Sequence, residues 1–431
     1  MKTKITRKEF LTKMFISATL LLLMFLSFLF ASELEHVFKM KTKYAKNEVS
    51  AEQLKNSSYF VDYIDVGQGN SSLIVLPDEK TVLVDGGNIM YGEVVADHLL
   101  SRGVTSIDYM IATHADSDHI GGLNYILENF EVKNVFRPFQ IAGSGTSAET
   151  FEVYEYEDLG IVYENFASES SRNKISRVTS DVYKDFIKNI YTETFSLNGE
   201  TISSEVTVFY DGLKISGINY EIEFFAPLVR DETVDLSLTT NTKGYATKGY
   251  GVTKSNDNSA VFLLTCVGNK FLFTGDASWK EGLSNEVKWG KFEELDFISS
   301  LSAEEKAKLS DVAVYIAGHH GSSHSSSSQL LEIINPKFMV FSVGSNNNYG
   351  HPASEVIFRI EKTQNLEKDY LLRTDYVGNI SFGEVDGNLR YSLQISQVNE
   401  NYSLSWQLFV SIIVGCLIVL VVFTKPKSRK I

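Results

Sequence analysis

The chain has 431 residues, of which 43% are hydrophobic, and it carries 40 Lys and Arg against 54 Asp and Glu side chains, a formal net charge of −14. This composition belongs to a globular protein with one large domain or two or three average ones. Nine basic residues and one acidic residue lie at the ends (1–13 and 425–431), so 31 basic and 53 acidic side chains remain, a formal charge of −22. That charge excludes a body that attracts nucleic acid by general electrostatics.

A hydrophobic segment at 14–31 follows the basic tail at 1–13. Its 18 uncharged residues would span about 27 Å as a helix, close to the hydrocarbon thickness of a bilayer. A signal peptide and an uncleaved signal anchor are the alternatives. The tripeptide Leu29-Phe30-Ala31 favours the anchor, because it places the bulky Leu29 where an A-x-A-like cleavage site has a small residue.

A second hydrophobic segment, at 405–424, precedes the basic tail at 425–431 and has Trp406 near its outer edge. A buried core helix is the alternative, but the interfacial aromatic and the basic tail favour a transmembrane helix. Basic residues outside both segments predict cytoplasmic termini and an extracellular body, in the cell membrane of a Gram-positive-like bacterium. The polar, lysine-rich residues 32–56 are predicted to form a stalk.

Residues 57–395 are predicted to form the folded body. Short apolar runs separated by turns predict strands at 59–65, 72–76, 81–84, 109–113, 260–266, 270–274, 312–317, 338–343, 370–373, 379–384 and 389–394. Helical patterns at 91–102, from Ile120, at 329–334 and at 354–362 interleave with them. Residues 142–201 are predicted to be an insertion over one face, with a helix at 181–191. This order predicts an α/β protein with two sheets sandwiched by helices.

The stretch HADSDHIGG follows the strand predicted at 109–113. Six of its residues carry four potential metal ligands: His114, Asp116, Asp118 and His119. Buried carboxylates need a compensating charge, and a divalent metal supplies it. The spacing therefore predicts a metal-binding loop at the start of a helix.

Further polar motifs stand at the ends of other predicted strands, where a sheet fixes the positions of its loops. They are DVGQGNS with Asp65, VDGG with Asp85, TGD with Asp276, GHHGSS with His319, His320 and Ser322, and NNYGHP with Asn348 and His351. The serine-rich stretch at 322–328 is either a flexible loop or a loop that lines the site.

Together HADSDHIGG, VDGG, TGD and GHHGSS resemble motifs of the metallo-β-lactamase superfamily, and DVGQGNS and NNYGHP are similar to motifs in the hydrolase domain of ComEC-type competence proteins. The resemblance covers about 59–394 without the insertion. It implies a four-layer αββα metallo-β-lactamase sandwich, which the two predicted transmembrane helices would flank. It also implies two divalent metal ions, zinc or manganese, that activate a water molecule at one edge of the sandwich.

The resemblance also implies the ligands. His114 and Asp116 would bind the first metal, Asp118 and His119 the second, and Asp276 would bridge the two. A histidine of the His319–His320 pair would complete the second site, and the sequence leaves open which one.

Two departures concern the first metal. Asp116 stands where the superfamily usually has a histidine, and the region around Asn258 lacks the usual third histidine. The first site is therefore expected to be weak, or filled only with substrate. Asn70 stands where ComEC-type proteins usually have Asp.

The remaining site residues are assigned supporting roles. His351 would bind a phosphate oxygen or protonate the leaving group, and Asp118 would serve catalysis as well as the metal. Asp85 would orient the metal loop, with a structural turn as the alternative. Asp65, Asn258, Ser322 and Asn348 are predicted to surround the metals or the substrate.

The leading functional hypothesis is a membrane-anchored phosphodiesterase or nuclease related to DNA uptake. Two helices cannot form a channel, so this role requires a separate membrane channel protein. One alternative is an esterase for envelope phosphodiesters of phosphocholine or teichoic-acid type. The other is a non-catalytic surface binding module with a degenerate metal site.

Overall fold

A computed structural model of the chain describes residues 48–138, 180–191, 201–227, 255–279, 293–345, 347–364 and 370–394, and the short strand segments at 141–144, 152–153, 177–178 and 194–195. The predicted hydrophobic segments at 14–31 and 405–424 lie outside these residues, as does most of the predicted insertion. Within the described ranges, no helix is long and apolar enough to cross a membrane.

The first sheet has the strand order β11-β5-β4-β3-β2-β1-β19-β20 in the described structure. These strands are β1 (Phe60–Tyr63), β2 (Ser72–Val75), β3 (Thr81–Val84), β4 (Ser106–Ile111), β5 (Glu131–Arg137), β11 (Glu205–Val208), β19 (Asn379–Val385) and β20 (Asn388–Gln394). The four strands from β11 to β3 run parallel, and the neighbours from β3 to β20 pair antiparallel.

The second sheet has the order β12-β13-β14-β15-β16-β17-β18. Its strands are β12 (Lys214–Gly217), β13 (Tyr220–Ala226), β14 (Val261–Cys266), β15 (Asn269–Phe273), β16 (Val314–Ile316), β17 (Phe338–Phe341) and β18 (Leu371–Arg373). β12 to β15 pair antiparallel and β15 to β18 run parallel, so both sheets are mixed. Short strands complete the described β-structure: β6 (Ile141–Ser144), β7 (Glu152–Val153), β8 (Arg177–Val178), β9 (Thr194–Phe195) and β10 (Thr201–Ile202).

Helices cover the outer faces of the two sheets. The described helices are α1 (Ala51–Leu54), α2 (Gly92–Ser101), α3 (Ser117–Asn129), α4 (Asp181–Tyr191), α5 (Glu293–Ser300), α6 (Ala303–Lys308), α7 (Ser328–Ile334), α8 (Ser354–Gln364) and α9 (Thr374–Val377). Buried side chains of α2, α3 and α4 share a core with the first sheet, and those of α5, α7 and α8 share a core with the second.

Aromatic pairs join the inner faces of the two sheets. Tyr63 of β1 stacks on Phe273 of β15 with ring centroids 6.1 Å apart, and Phe338 of β17 meets Phe382 of β19 at 5.3 Å. Such pairs exclude water and add directional contacts to the burial of apolar area. The layers are therefore helix, sheet, sheet and helix, and the predicted α/β sandwich is confirmed.

The structure differs from the sequence prediction in several strands and in the point where the folded unit begins. Strands β5, β11 and β12 were not predicted. β13 lies in the region between 140 and 255 where no strand was predicted, although it pairs along its length with β14. The folded unit also begins at Val49, within the predicted stalk, because Val49 N donates to Tyr391 O at 2.9 Å and Leu54 is buried. The helix predicted at 181–191 is present, and its Phe186 packs into the core of the first sheet.

Candidate metal centre

Asp276 lies at the centre of a cluster of histidines. It follows β15 and is 2% exposed. Its carboxylate oxygens lie 3.1 Å from His119 Nε2 and 3.8 Å from His114 Nε2, both from the first sheet's loops. The same carboxylate lies 3.6 Å from His319 Nε2 and 3.9 Å from His320 Nε2, in the loop after β16. The two sheets therefore bring their polar loops together at one edge.

Several polar atoms of this cluster are buried without a hydrogen-bond partner in the described structure: His114 Nε2, His119 Nε2, His320 Nε2 and Asp276 Oδ1. An unpartnered buried polar atom is costly, so their convergence calls for a ligand. Two groups have ligand atoms within 4.8 Å of one another: His114 with His119 and Asp276, and Asp118 with His119 and His320. Imidazole nitrogens and carboxylate oxygens are the donors that divalent zinc or manganese takes, so the residues fit a metal.

Asp85 fixes the ring of His119. His119 Nδ1 donates to Asp85 Oδ2 at 2.7 Å, and the same carboxylate accepts from Thr113 N at 2.8 Å and Thr113 Oγ1 at 2.7 Å. These contacts leave His119 Nε2 directed at Asp276, as required for the orienting role that the sequence suggested. Thr113 was not predicted to contribute, yet its hydroxyl also lies 3.1 Å from His114 Nδ1.

The charges of the cluster depend on one another. Burial disfavours the ionised form of Asp276, but His119 and the other histidines hold its pKa well below the ordinary value. Burial likewise disfavours the imidazolium of His119, yet Asp276 and Asp85 raise the pKa of His119 well above its ordinary value. Burial, with the charge of His119, lowers the pKa of His114. The two carboxylates therefore favour the charged form of His119, whereas burial and His119 disfavour the charged form of His114.

His319 and His320 occupy a tight turn after β16. Both have left-handed backbone conformations, with φ of 48° and 54°, which are strained for residues with a side chain. His320 is buried, its Nδ1 donates to Ser342 O at 2.9 Å, and its Nε2 lies 3.3 Å from Asp118 Oδ2. His319 is 31% exposed at its side chain. His320 thus has the burial, and the hydrogen bond at its second ring nitrogen, that are typical of a metal ligand, whereas His319 is partly exposed.

The position expected for the first metal has fewer donors. Asp116 Oδ2 lies 3.7 Å from His114 Nε2, and the Asp116 side chain is 40% exposed. Asn258, in the 3₁₀ turn Ser255–Asn258, is buried, and both atoms of its amide are without a hydrogen-bond partner among the described residues. In the same turn Asn256 Nδ2 donates to Asp276 Oδ2 at 3.4 Å. Asn256 therefore places an amide beside Asp276 on this side of the cluster.

The structure also describes three further residues that the sequence predicted for the site. Asp65 caps its own turn by accepting from Gly67 N at 3.2 Å, and burial, with nearby Asp375, raises its pKa. Ser322 Oγ accepts from His324 N at 3.3 Å, which shapes the loop after His320. Asn348 is exposed. Their predicted roles toward metal or substrate stay predictions.

His351 lies next to the histidine pair. Its ring centroid is 5.9 Å from that of His319 and 6.4 Å from that of His320. Burial and the charges of His320 and His319 lower the pKa of His351 to about 4. It therefore stands at the cluster's side as a neutral imidazole, with Nδ1 buried and without a hydrogen-bond partner in the described structure.

The serine-rich loop is held in place. Ser325, Ser326 and Ser327 are fully buried, so the flexible-loop alternative was wrong for this part of 322–328. Glu294 of α5 accepts from Ser326 N at 2.8 Å and Ser327 N at 2.7 Å. These backbone partners lie more than 30 residues from Glu294, and no local pattern pointed to them.

Arg359 of α8 holds the same loop from another side. Its guanidinium donates to Ser325 O at 2.6 Å, Ser326 O at 2.9 Å and Ser323 O at 3.1 Å, and it stacks 4.5 Å from the centre of the Trp279 ring. Trp279 follows Asp276 by three residues, and α8 begins three residues after His351. Arg359 therefore connects the three loops that carry Asp276, the histidine pair and His351.

Gly86 of VDGG and Gly122 of HADSDHIGG allow the loop that carries His114 and His119 to lie against the loop after β3. A Cβ on Gly122 would lie 2.0 Å from Gly86 O, and a Cβ on Gly86 would lie 2.7 Å from Leu123 N. Only glycine permits this contact, which seats the start of α3 against the loop after β3.

A family model described as the metallo-beta-lactamase superfamily matches residues 64–139 of this chain. ComE operon protein 3 of Bacillus subtilis (strain 168) is 23% identical over 339 residues, covering 75% of this chain and 32% of that protein. Competence protein ComA of Neisseria gonorrhoeae is 24% identical over 344 residues, covering 80% of this chain and 34% of that protein. The chain thus spans about a third of the length of these relatives. The metallo-beta-lactamase fold protein YhfI from Bacillus subtilis is a similar solved structure, with TM-score 0.35 and 10% identity over 78% of this chain and 100% of that one.

Proposed function

Because this chain belongs to the metallo-β-lactamase superfamily and is similar to ComEC-type proteins, we propose that it is a metal-dependent phosphodiesterase. The observation that carries the proposal is the convergence of unpartnered His114, His119, His320 and Asp276 atoms at one edge of the sandwich. Bound divalent cations would supply a Lewis acid and an activated water there.

The side chains around the metals would bind the cations, orient the ligands and contact the leaving group. Asp276 would neutralise the cations from between the two ligand groups, and Asp118 with His320 would hold the second position. Asp85 keeps His119 oriented through Nδ1, so this ligand needs no reorganisation when the metal binds. His351, beside the histidine pair, would donate a hydrogen bond from its neutral ring to the leaving oxygen of the ester.

The substrate and location are also proposed. One relative is named a competence protein and the other is named for the ComE operon. With the resemblance to ComEC-type hydrolase domains, this supports a nucleic-acid phosphodiester and a role related to DNA uptake. The segments at 14–31 and 405–424 would anchor the chain in a bacterial cell membrane with its termini in the cytoplasm and residues 32–404 outside. Since the chain spans about a third of those relatives, a separate channel protein would be its partner.

The test is hydrolysis of bis-p-nitrophenyl phosphate by the full chain in detergent, with Mn²⁺ or Zn²⁺ added after chelation. We expect metal-dependent turnover that Asp118→Asn and Asp276→Asn each lower at least 100-fold, because each removes a charged group from the cluster. Asp386→Asn, in the β19–β20 turn, should keep wild-type activity. Intact cells should hydrolyse the externally added ester if the site faces outward.

Absence of turnover with either metal, or turnover that survives Asp276→Asn, would exclude the phosphodiesterase. Metal binding without turnover would favour the surface binding module. Hydrolysis of p-nitrophenyl phosphorylcholine in preference to a dinucleotide would favour the envelope esterase.

A further inference from the structure

An exposed aromatic ring stands beside the candidate metal centre. Tyr349 is 75% exposed, and its ring is stacked on that of His351, with centroids 5.6 Å apart and planes inclined by 27°. His351 in turn lies between Tyr349 and the histidine pair. A series of rings therefore leads from the cluster to the surface.

The loop that carries Tyr349 is closed by its own hydrogen bonds. Asn347 Nδ2 donates to Gly344 O at 2.8 Å and to His351 O at 3.0 Å, while Asn347 Oδ1 accepts from His351 N at 2.9 Å. These contacts fix both ends of the turn that presents the tyrosine. The exposure of the ring is therefore a property of a defined loop, and an aromatic ring held in this way loses little entropy on binding.

We infer that Tyr349 is a stacking subsite for a flat aromatic ring, a nucleobase, carried by the leaving group of the phosphodiester. The inference rests on the proposed function and adds the substrate class and its orientation. His351 is the group placed to meet the leaving oxygen, and Tyr349 is the next ring outward, so the leaving nucleoside would extend over it. Stacking requires no particular base, because every base has a π face.

The observations favour a flat ring over a quaternary ammonium group. Cation recognition of that kind uses a cage of several aromatic faces. In the described part of the chain, the ring in contact with Tyr349 is the single imidazole of His351. One exposed aromatic face beside one imidazole ring matches one stacked base.

The test compares three substrates for the full chain with metal: the dinucleotide TpT and two analogues, each lacking one base. The products of TpT identify which nucleoside leaves. We expect Tyr349→Ala to lower kcat/KM about 5- to 100-fold for every substrate with a base on the leaving nucleoside, and to leave the analogue without that base unchanged. Tyr349→Phe should keep wild-type values, since the ring is retained.

Phe358→Ala is the matched control, because it removes another exposed aromatic ring, 65% exposed, from α8. An equal loss on all three substrates, no loss on TpT, or the same loss in Tyr349→Phe would overturn the subsite. If the wild type hydrolyses neither TpT nor bis-p-nitrophenyl phosphate, the proposed function has failed. If it hydrolyses both and Tyr349→Ala is without effect, only the subsite has failed.

Discussion

The His119 imidazole is contacted by carboxylates on both nitrogens, Asp85 at Nδ1 and Asp276 near Nε2. These contacts have different consequences. Asp276 shares the position where a metal would bind, whereas Asp85 is hydrogen-bonded and sits behind the ring. Asp85 also holds a left-handed backbone conformation, φ 57°, directly after β3. Its side chain can therefore be tested separately from the ligands.

Asp85→Asn should lower the affinity for Mn²⁺ or Zn²⁺ about 10- to 100-fold, because the amide holds the His119 ring less firmly and makes it a poorer donor. Asn tolerates the left-handed backbone, so the fold should be retained. Isothermal titration calorimetry on the chelated protein would measure the change. A metal affinity equal to that of the wild type would show that Asp85 does not orient His119 for the metal and serves only the structure of the turn after β3.

Helix α8 contributes to the site through one side chain on its inner face. The planar guanidinium of Arg359 donates to three carbonyls of the serine-rich loop and stacks on Trp279. Lysine has a single ammonium on a flexible stem and cannot reproduce this fork. The ordering of the loop after His320 therefore depends on an arginine from a separate helix.

Arg359→Lys should reduce the free energy of unfolding by about 1.5–3 kcal/mol, the contribution of one hydrogen bond to a charged group. It should also weaken metal binding, since the loop carrying His319 and His320 loses its support. Denaturant unfolding and metal titration would measure the two effects. Lys362→Met on the exposed side of the same helix should change neither, and an unaltered metal affinity in Arg359→Lys would limit the arginine to general stability.

The sequence predicted the parts of this structure that depend on local pattern. The strands that end at the site have continuous apolar runs, and His114, Asp116, Asp118 and His119 lie within six residues of one another. Strand β13 was missed because the region around it is polar and irregular, although its own sequence, YEIEFFA, is largely apolar and carries a strand signal. The contacts of Glu294 and Arg359 with Ser326 were missed because partners more than 30 residues apart leave no periodic signal.

The two sheets form one folded body whose candidate ligands come from both halves of the chain. His114 and His119 follow the first sheet's β4, whereas Asp276 and His320 follow β15 and β16 of the second. A metal bound by this set would favour the state in which the sheets are packed, because the unfolded chain does not assemble the site.

Adding Mn²⁺ or Zn²⁺ to the chelated chain should therefore raise its free energy of unfolding, by about 2.7 kcal/mol at a metal concentration 100-fold above Kd. Thermal unfolding in detergent, with and without metal, would measure the gain. Asp276→Asn should abolish it, and a metal-independent midpoint in the wild type would contradict a metal shared between the sheets.

The division of the cluster between distant segments also matters while the protein is being made. The ribosome adds the roughly 200 residues between His119 and His320 at about 5–20 per second, so the first motif waits about 10–40 s for its counterpart. For most of that interval the nascent chain holds His114 and His119 without Asp276, and the histidine pair is completed only at its end. A chain that is still being translated, or one that terminates early, is consequently unable to assemble the cluster, and any hydrolytic activity is confined to polypeptides synthesised past His320.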